Sequence, residues 1–377
     1  MRRTFKRVLC YSLFLISLAA SLQGEDIPLL LPAKKGVGGL RRLLAPRALG
    51  NKIKEVKLTL SKEQKEFFAQ KTNWEKNRDV PHEIDVSFDD SQKVRATIKA
   101  HGRSTLNFDK KSFALRLHHN ILTTKVWLDK FFLLSLVTDE HGFEMFFCNQ
   151  ILARMRLFPN HFQFVRLSIN GKDKGLYLLI ERTEDAIRRT VPNVLAIYRR
   201  RTRQRFEKVW LRNEFEKVNE EDAFDVDLNG YMHWLAFNSL IRNRDILDEL
   251  FLYKVKTPYK PQGFWKPVAW DYDDTMRPQK VSAFSSPVLY GCESEWDRQI
   301  NSSPRLFSRY CIILKRLLTL FLTPEALKRR LMVCYAELQQ IDPNSERKRA
   351  IDKYFQQLLL RRGELLHRMR SLATRKQ

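Results

Sequence analysis

The chain predicts an α+β fold, with strands gathered in its first half and helices in its second. Three observations carry that reading. Short runs of alternating apolar and polar residues recur from Val56 to Ile180, apolar residues at helical spacing dominate beyond about residue 190, and prolines behind cap residues punctuate the last third. The runs 56–60, 83–88, 94–99 and 113–117 each alternate, which gives every strand one apolar and one polar face. The segment 143–155 has helical spacing. Strands are then expected over 162–169 and 175–180, with Asn170-Gly171 as the hairpin turn between them. A helix is expected over 228–240, followed by the short strands 250–253 and 264–269. Three helices close the chain, beginning near Pro304, at Pro324 behind the cap Thr323, and between Pro343 and Glu346, because proline is tolerated in a first helical turn. The last of them, about 345–370, has an amphipathic stripe that predicts packing on the body of the protein. No internal repeat is evident.

The chain of 377 residues, 44% hydrophobic and 11% aromatic, has the composition of a globular protein with a large core. Its start reads as an export signal: the basic segment 1–7 precedes an apolar run over 8–22, with small residues at Ala19-Ala20-Ser21 for cleavage. At about fifteen residues the run falls short of the roughly twenty needed to span a bilayer, so residues 1–24 are expected to be a cleaved signal rather than an anchor. Prolines and glycines among basic residues mark 25–51 as a linker, and 52–377 as the folded domain. No transmembrane helix is expected in the mature chain, which would be periplasmic, on the cell surface or secreted.

A net charge of +25 and a pI near 9.9 permit attraction to acidic partners. The charge is spread, with dense patches at 199–205 and along the last helix around Arg361 and Arg368 that read as solvated faces. No RNP, KH, zinc-finger or P-loop pattern is present, and nucleic acid is not an expected partner. The four cysteines beyond the signal show no paired spacing, which argues neither a zinc site nor a disulfide framework. Cys148 and Cys311 read as core residues, and a bridge from Cys292 stays open.

The most informative stretch is Trp270-Asp271-Tyr272-Asp273-Asp274-Thr275, a carboxylate cluster at the end of the expected strand 264–269. Upstream lies Asn243-Arg244-Asp245, between an apolar helix and the strand 250–253. Two acidic motifs on adjacent strand ends can frame one reaction centre. Phosphoryl transfer needs one Asp to orient and deprotonate the attacking hydroxyl and another to hold a divalent cation against the phosphate charge. Either motif alone also reads as turn and cap residues. His118-His119 reads as a surface pair, and Trp265 and Trp270 as core residues bracing the acidic strand.

Four ordered blocks resemble the CotH kinase family, named after a bacterial spore-coat protein. They are His101-Gly102-Arg103-Ser104-Thr105 with Lys110-Lys111-Ser112-Phe113-Ala114-Leu115-Arg116; Asn170-Gly171 with 175–182; 237–245 with Leu252-Tyr253; and Trp270-Asp271-Tyr272-Asp273. The resemblance covers about 54–330. It implies an atypical protein-kinase-like fold with a strand-rich lobe (about 52–190) and a helical lobe (about 191–377), binding ATP with Mg²⁺ or Mn²⁺ and phosphorylating protein Ser or Thr hydroxyls. The substrate is expected to be a protein, acidic or of a surface or coat.

By the resemblance Asp245 would be the catalytic aspartate and Asp271 the metal ligand, joined by Asp273. Lys111 and Arg116 are candidates for the nucleotide phosphates, Ser104 lies in a turn that would cover them, and Glu181 is a candidate ion-pair partner. Two positions depart from the pattern. Arg116 stands where the family shows lysine, and a planar guanidinium is not equivalent to an ammonium. Residues 246–251 lack the asparagine that would hold a second metal, leaving Asp248 or Glu249 to supply an oxygen. These departures keep open a second function, a catalytically impaired pseudokinase-like surface or coat protein that binds partners. A metal-dependent hydrolase of phosphorylated or glycan substrates is a third.

Overall fold

The alternating runs of the first half roll up into a closed barrel. The computed structural model describes residues 52–70, 79–89, 91, 93–102, 104–122, 126–139, 141–200, 206–211, 226–244, 246, 250–277, 286–290 and 294–374. Seven strands form the barrel: β1 (Glu55–Thr59), β2 (His82–Phe88), β3 (Val94–His101), β4 (Ser112–Leu122), β5 (Trp127–Leu134), β6 (Phe162–Ile169) and β7 (Lys172–Glu181). Their order is β1-β2-β3-β4-β5-β7-β6, and β1 lies parallel to β6, Val56 opposite Leu167, to close the ring. Alternation fills the lumen with Val56, Val86, Ile98, Leu115, Phe131 and Leu179, all nearly inaccessible to water. Burying such side chains contributes about 2 kcal/mol each.

The β6–β7 hairpin turns at Asn170 (φ 49°) and Gly171 (φ 76°), both left-handed as a two-residue turn requires. Asn170 also ties the turn to β1. Its Oδ1 accepts from the Leu60 amide and its Nδ2 donates to the Leu60 carbonyl, both at 2.7 Å.

The outward faces of β5, β7 and β6 are covered in part by the rest of the protein. Leu134, Phe164, Leu178 and Ile180 pack into a second, larger core shared with the helices. At its centre is α4 (Leu228–Ile241), apolar on nearly every side and buried, started by the Asp227 side chain on the Gly230 amide. Around it pack α6 (Pro304–Arg316) and α8 (Glu346–Thr374), while α7 (Pro324–Ile341) meets α2 (Glu144–Arg154). Thr323 caps α7 through the Ala326 amide, with Pro324 in the first turn, as expected. Among the described residues there are also three short helices, α1 (Lys62–Ala69), α3 (Thr183–Thr190) and α5 (Glu295–Ser302).

The α+β reading holds, with strands first and helices last, and the second half adds a sheet of its own. The strands β8 (Val194–Arg200), β9 (Phe206–Leu211), β10 (Leu250–Thr257) and β11 (Lys260–Ala269) form a four-stranded antiparallel sheet of order β11-β10-β8-β9. β8 begins the stretch read as a solvated basic patch, and that reading fails at Arg200. Its side chain is 1% exposed, stacks over the Trp234 ring and donates to the Ile246 carbonyl at 3.0 Å. Arg361, also assigned to a solvated face, is buried and donates to the Ser239 carbonyl. Cys148 and Cys334 are buried free thiols and Cys311 is half-buried; Cys292 lies outside the described residues. So do the expected signal and linker, residues 1–51. Among the described residues no helix is long and apolar enough to cross a membrane.

Candidate functional site

Both acidic motifs sit at one end of the second sheet, because β10 and β11 are antiparallel neighbours with Leu250 opposite Ala269. The segment that enters β10 and the segment that leaves β11 must therefore run side by side. Helix α4 ends at Arg242 in the left-handed region (φ 50°), and the chain then passes along the acidic loop. Three contacts join the two. Met276 N–H donates to the Ile241 carbonyl at 2.7 Å, Arg244 N–H to the Asp274 carbonyl at 2.9 Å, and buried Asn243 donates from Nδ2 to the Asp271 carbonyl at 3.3 Å. Asp271 is itself left-handed (φ 49°), a conformation aspartate tolerates better than most residues, and it turns the chain sharply after the buried Trp270. Asp245 and Glu249 lie outside the described residues. The flanks of Asp245 are fixed by the Arg244 contact and by the Arg200–Ile246 hydrogen bond.

An aromatic chain links this loop to the barrel. His101 stacks on Phe132 with ring centres 4.1 Å apart, Phe132 meets the Trp270 edge at 5.9 Å, and Trp270 meets Phe251 at 6.0 Å. The guanidinium of Arg182 lies over Phe132 and that of Arg199 over Phe251, so the wall carries cations. Trp265 is buried as well, as expected of a brace.

The phosphate candidates fall in two places. Arg116 is exposed on the outer face of β4, opposite Thr97 of β3 and Lys130 of β5, one outward position along the strands from Phe132. Lys111 is 4% exposed, and its Nζ donates to the Leu106 carbonyl across the turn. That turn leaves β3 at Gly102 (φ 103°) and continues as a 3₁₀ turn, Ser104–Asn107, which contains Ser104. Glu181, at the end of β7, accepts from Arg189 Nε at 2.9 Å and Nη2 at 2.6 Å, and from the His161 amide at 2.9 Å. Its described partners are thus a helix α3 arginine and the backbone. His118 makes a surface pair with Glu83 at 3.0 Å.

The loop that follows β5 supplies residues the sequence did not flag. Thr138 donates from its hydroxyl to Asp273 Oδ2, and Arg277 donates to the Thr138 carbonyl at 2.9 Å. Asp139 is fully buried, accepting the Phe143 and Met145 amides at the start of α2. Burial, opposed by these amides and reinforced by the nearby Asp273 charge, pushes the Asp139 carboxyl up to about 6. Burial also raises the Asp273 carboxyl, against the Thr138 hydrogen bond. The Asp274 carboxylate faces Arg277 Nε at 3.3 Å and Arg244 Nε at 3.9 Å. Thr275 donates to the buried Glu144 at 2.7 Å. No short-range signal marks Thr138, whose partner Asp273 lies more than a hundred residues along the chain.

Among the described residues, no three His, Cys, Asp or Glu side chains are placed to share a metal ion. Asp271 and Asp273 are the described members of the expected ligand set. A family model described as CotH kinase protein matches residues 98–225 and 216–357, well over half the chain. The chain belongs to the CotH kinase family. A comparison with curated proteins finds no match. The CotH match takes in the barrel from β3 onward, the second sheet and the helices up to the first half of α8, and so includes both acidic motifs. It extends past the span of the sequence resemblance at the C-terminal end and starts later at the N-terminal end.

Proposed function

We propose that this CotH-family protein is an exported kinase-like phosphotransferase that moves phosphate from ATP to Ser or Thr hydroxyls of a protein substrate. The observation that carries the reading is the pairing of the two acidic segments, Arg244 amide to Asp274 carbonyl, beside the Leu250–Ala269 register. The barrel and the helical part would act as the two lobes of a kinase-like fold. Asp245 would take the proton of the attacking hydroxyl, a role contributing about 10²- to 10⁴-fold in rate. The aromatic wall with Arg182 and Arg199 offers a stacking and cationic surface for a nucleotide, and Arg116 and Lys130 extend positive charge along the barrel.

The donor set suits a hard divalent cation. Asp271 and Asp273 offer the carboxylate oxygens such a cation takes, and burial, with the nearby Asp274 charge, raises the Asp273 carboxyl. Mg²⁺ or Mn²⁺ held there would offset phosphate charge during transfer. Thr138 and Arg277 hold the Asp273 side of the loop against the turn after β5.

A second reading is a catalytically impaired member that acts by binding partners. Two observations favour it: Glu181 is engaged by Arg189, and 246–251 contains no asparagine. Calorimetry of the purified chain with ATP, with and without Mg²⁺ or Mn²⁺, separates the two. Metal-dependent binding that Asp271→Ala abolishes, with labelled phosphate transfer lost in Asp245→Ala, supports the phosphotransferase. Absence of nucleotide binding by folded protein discards it in favour of the partner-binding reading.

A further inference from the structure

The outward arc of α6 and the turn that ends it has no role in the site just described. From Pro304 to Phe321 the sequence contains four cations, Arg305, Arg309, Lys315 and Arg316, and no Asp or Glu. All four are exposed, and none is joined in an ion pair to a described residue. The buried side of the same stretch is Tyr310, Ile313, Leu314, Leu317 and Leu318, which packs toward α4. On the outward arc, among the cations, stand three large apolar side chains: Ile312 at 52% exposure, Phe321 at 38% and Leu320 at 78%.

Helical spacing puts 305, 309, 312, 316 and 320 on one face, so the basic and apolar groups share it. The terminal corner is held rigidly. After α6 the chain makes a π turn, Leu317–Phe321, closed by the Leu322 amide on the Leu317 carbonyl at 2.7 Å. Leu322 turns inward, and Arg362 of α8 donates from Nε to the carbonyls of Leu318 and Leu322 at 3.1 and 3.2 Å. With both ends of the corner pinned, Leu320 and Phe321 project from it and have no room inside.

We propose that this arc docks the protein on an anionic phospholipid bilayer. The chemistry is complementary on both counts. Cations without an ion-pair partner among the described residues meet lipid phosphates and carboxylates, and the exposed apolar side chains enter the boundary between headgroups and acyl chains. An acidic polypeptide would satisfy the cations and leave Leu320 and Ile312 without apolar cover, as would a nucleic acid. This surface is separate from the acidic loops and stands whether or not the chain transfers phosphate.

The test is co-sedimentation of the purified full chain with phosphatidylcholine vesicles and with vesicles of equal parts phosphatidylcholine and phosphatidylserine. Binding is expected to favour the anionic vesicles and to weaken with salt. Arg309→Gln/Arg316→Gln should weaken it about 30-fold, at about fivefold per cation. Leu320→Ser should weaken it about tenfold, the effect of losing one partly inserted leucine. All these positions are exposed, and Ile312→Ser serves as the second apolar variant should Leu320→Ser not keep the parent's melting temperature. Equal binding to both vesicle types, or binding untouched by the variants, overturns the proposal. Loss with the charge variant alone, together with competition by polyglutamate, overturns it in favour of an acidic polypeptide partner.

Discussion

Replacing Arg189 by methionine would strand the Glu181 carboxylate at the end of β7. The Glu181 side chain is 2% exposed, and two of its three described hydrogen bonds come from the Arg189 guanidinium. Methionine retains most of the apolar stem and removes only the charged fork, leaving one backbone amide on a buried anion. Breaking a buried pair in this way costs about 3–5 kcal/mol. Because the Arg189 side chain is 34% exposed, water replaces part of what is lost, and a destabilisation of about 2–3 kcal/mol is expected. Urea unfolding at neutral pH measures it. Adding Glu181→Gln to the variant removes the stranded charge, so the double variant should recover about half the loss. A single variant within about 0.5 kcal/mol of the parent, or a double variant no more stable than the single, would refute the assignment of Glu181 to Arg189.

Asn170→Ala should cost about 2–3 kcal/mol in denaturant, since it deletes both hydrogen bonds to Leu60 and puts a methyl side chain at φ 49°. Asn170→Gly relieves the backbone alone and should recover about 1 kcal/mol of that. Asp139, raised by burial to about 6, keeps its proton in the folded chain over a range where the unfolded chain has released it. Stability should therefore fall as pH rises from about 4 to about 6, by up to about 3 kcal/mol, and Asp139→Asn should flatten that slope in urea midpoints taken across the range.

What the sequence discloses is set by how local the cause is. The hairpin at Asn170-Gly171 and the helix starts at Pro304 and Pro324 are legible because turn and cap chemistry acts within a few residues. Strand β5, Trp-Leu-Asp-Lys-Phe-Phe-Leu-Leu, is hard to read because one of its faces lines the barrel while the other enters the second core, so apolar residues stand on both. Basic residues mislead for a related reason. Arg200 is buried against a ring and a carbonyl that belong to other parts of the fold, and no composition window reports that. The acidic motifs draw notice by their density, and their adjacency follows once the β10–β11 pairing is granted. Thr138 stays silent in the sequence because its partner lies in the loop at 271–277, far along the chain.

The ring closure between β1 and β6 bears on how the chain is made. Leu60 and Asn170 lie 110 residues apart, so β1 leaves the ribosome well before the strand that completes its pairing exists. Until then β1 presents a bare edge, the kind of surface that recruits wrong partners, and long-range closures of this sort are slow. A polypeptide kept extended during synthesis and released whole would avoid that interval, so passage across a membrane before folding would work in favour of this barrel rather than against it.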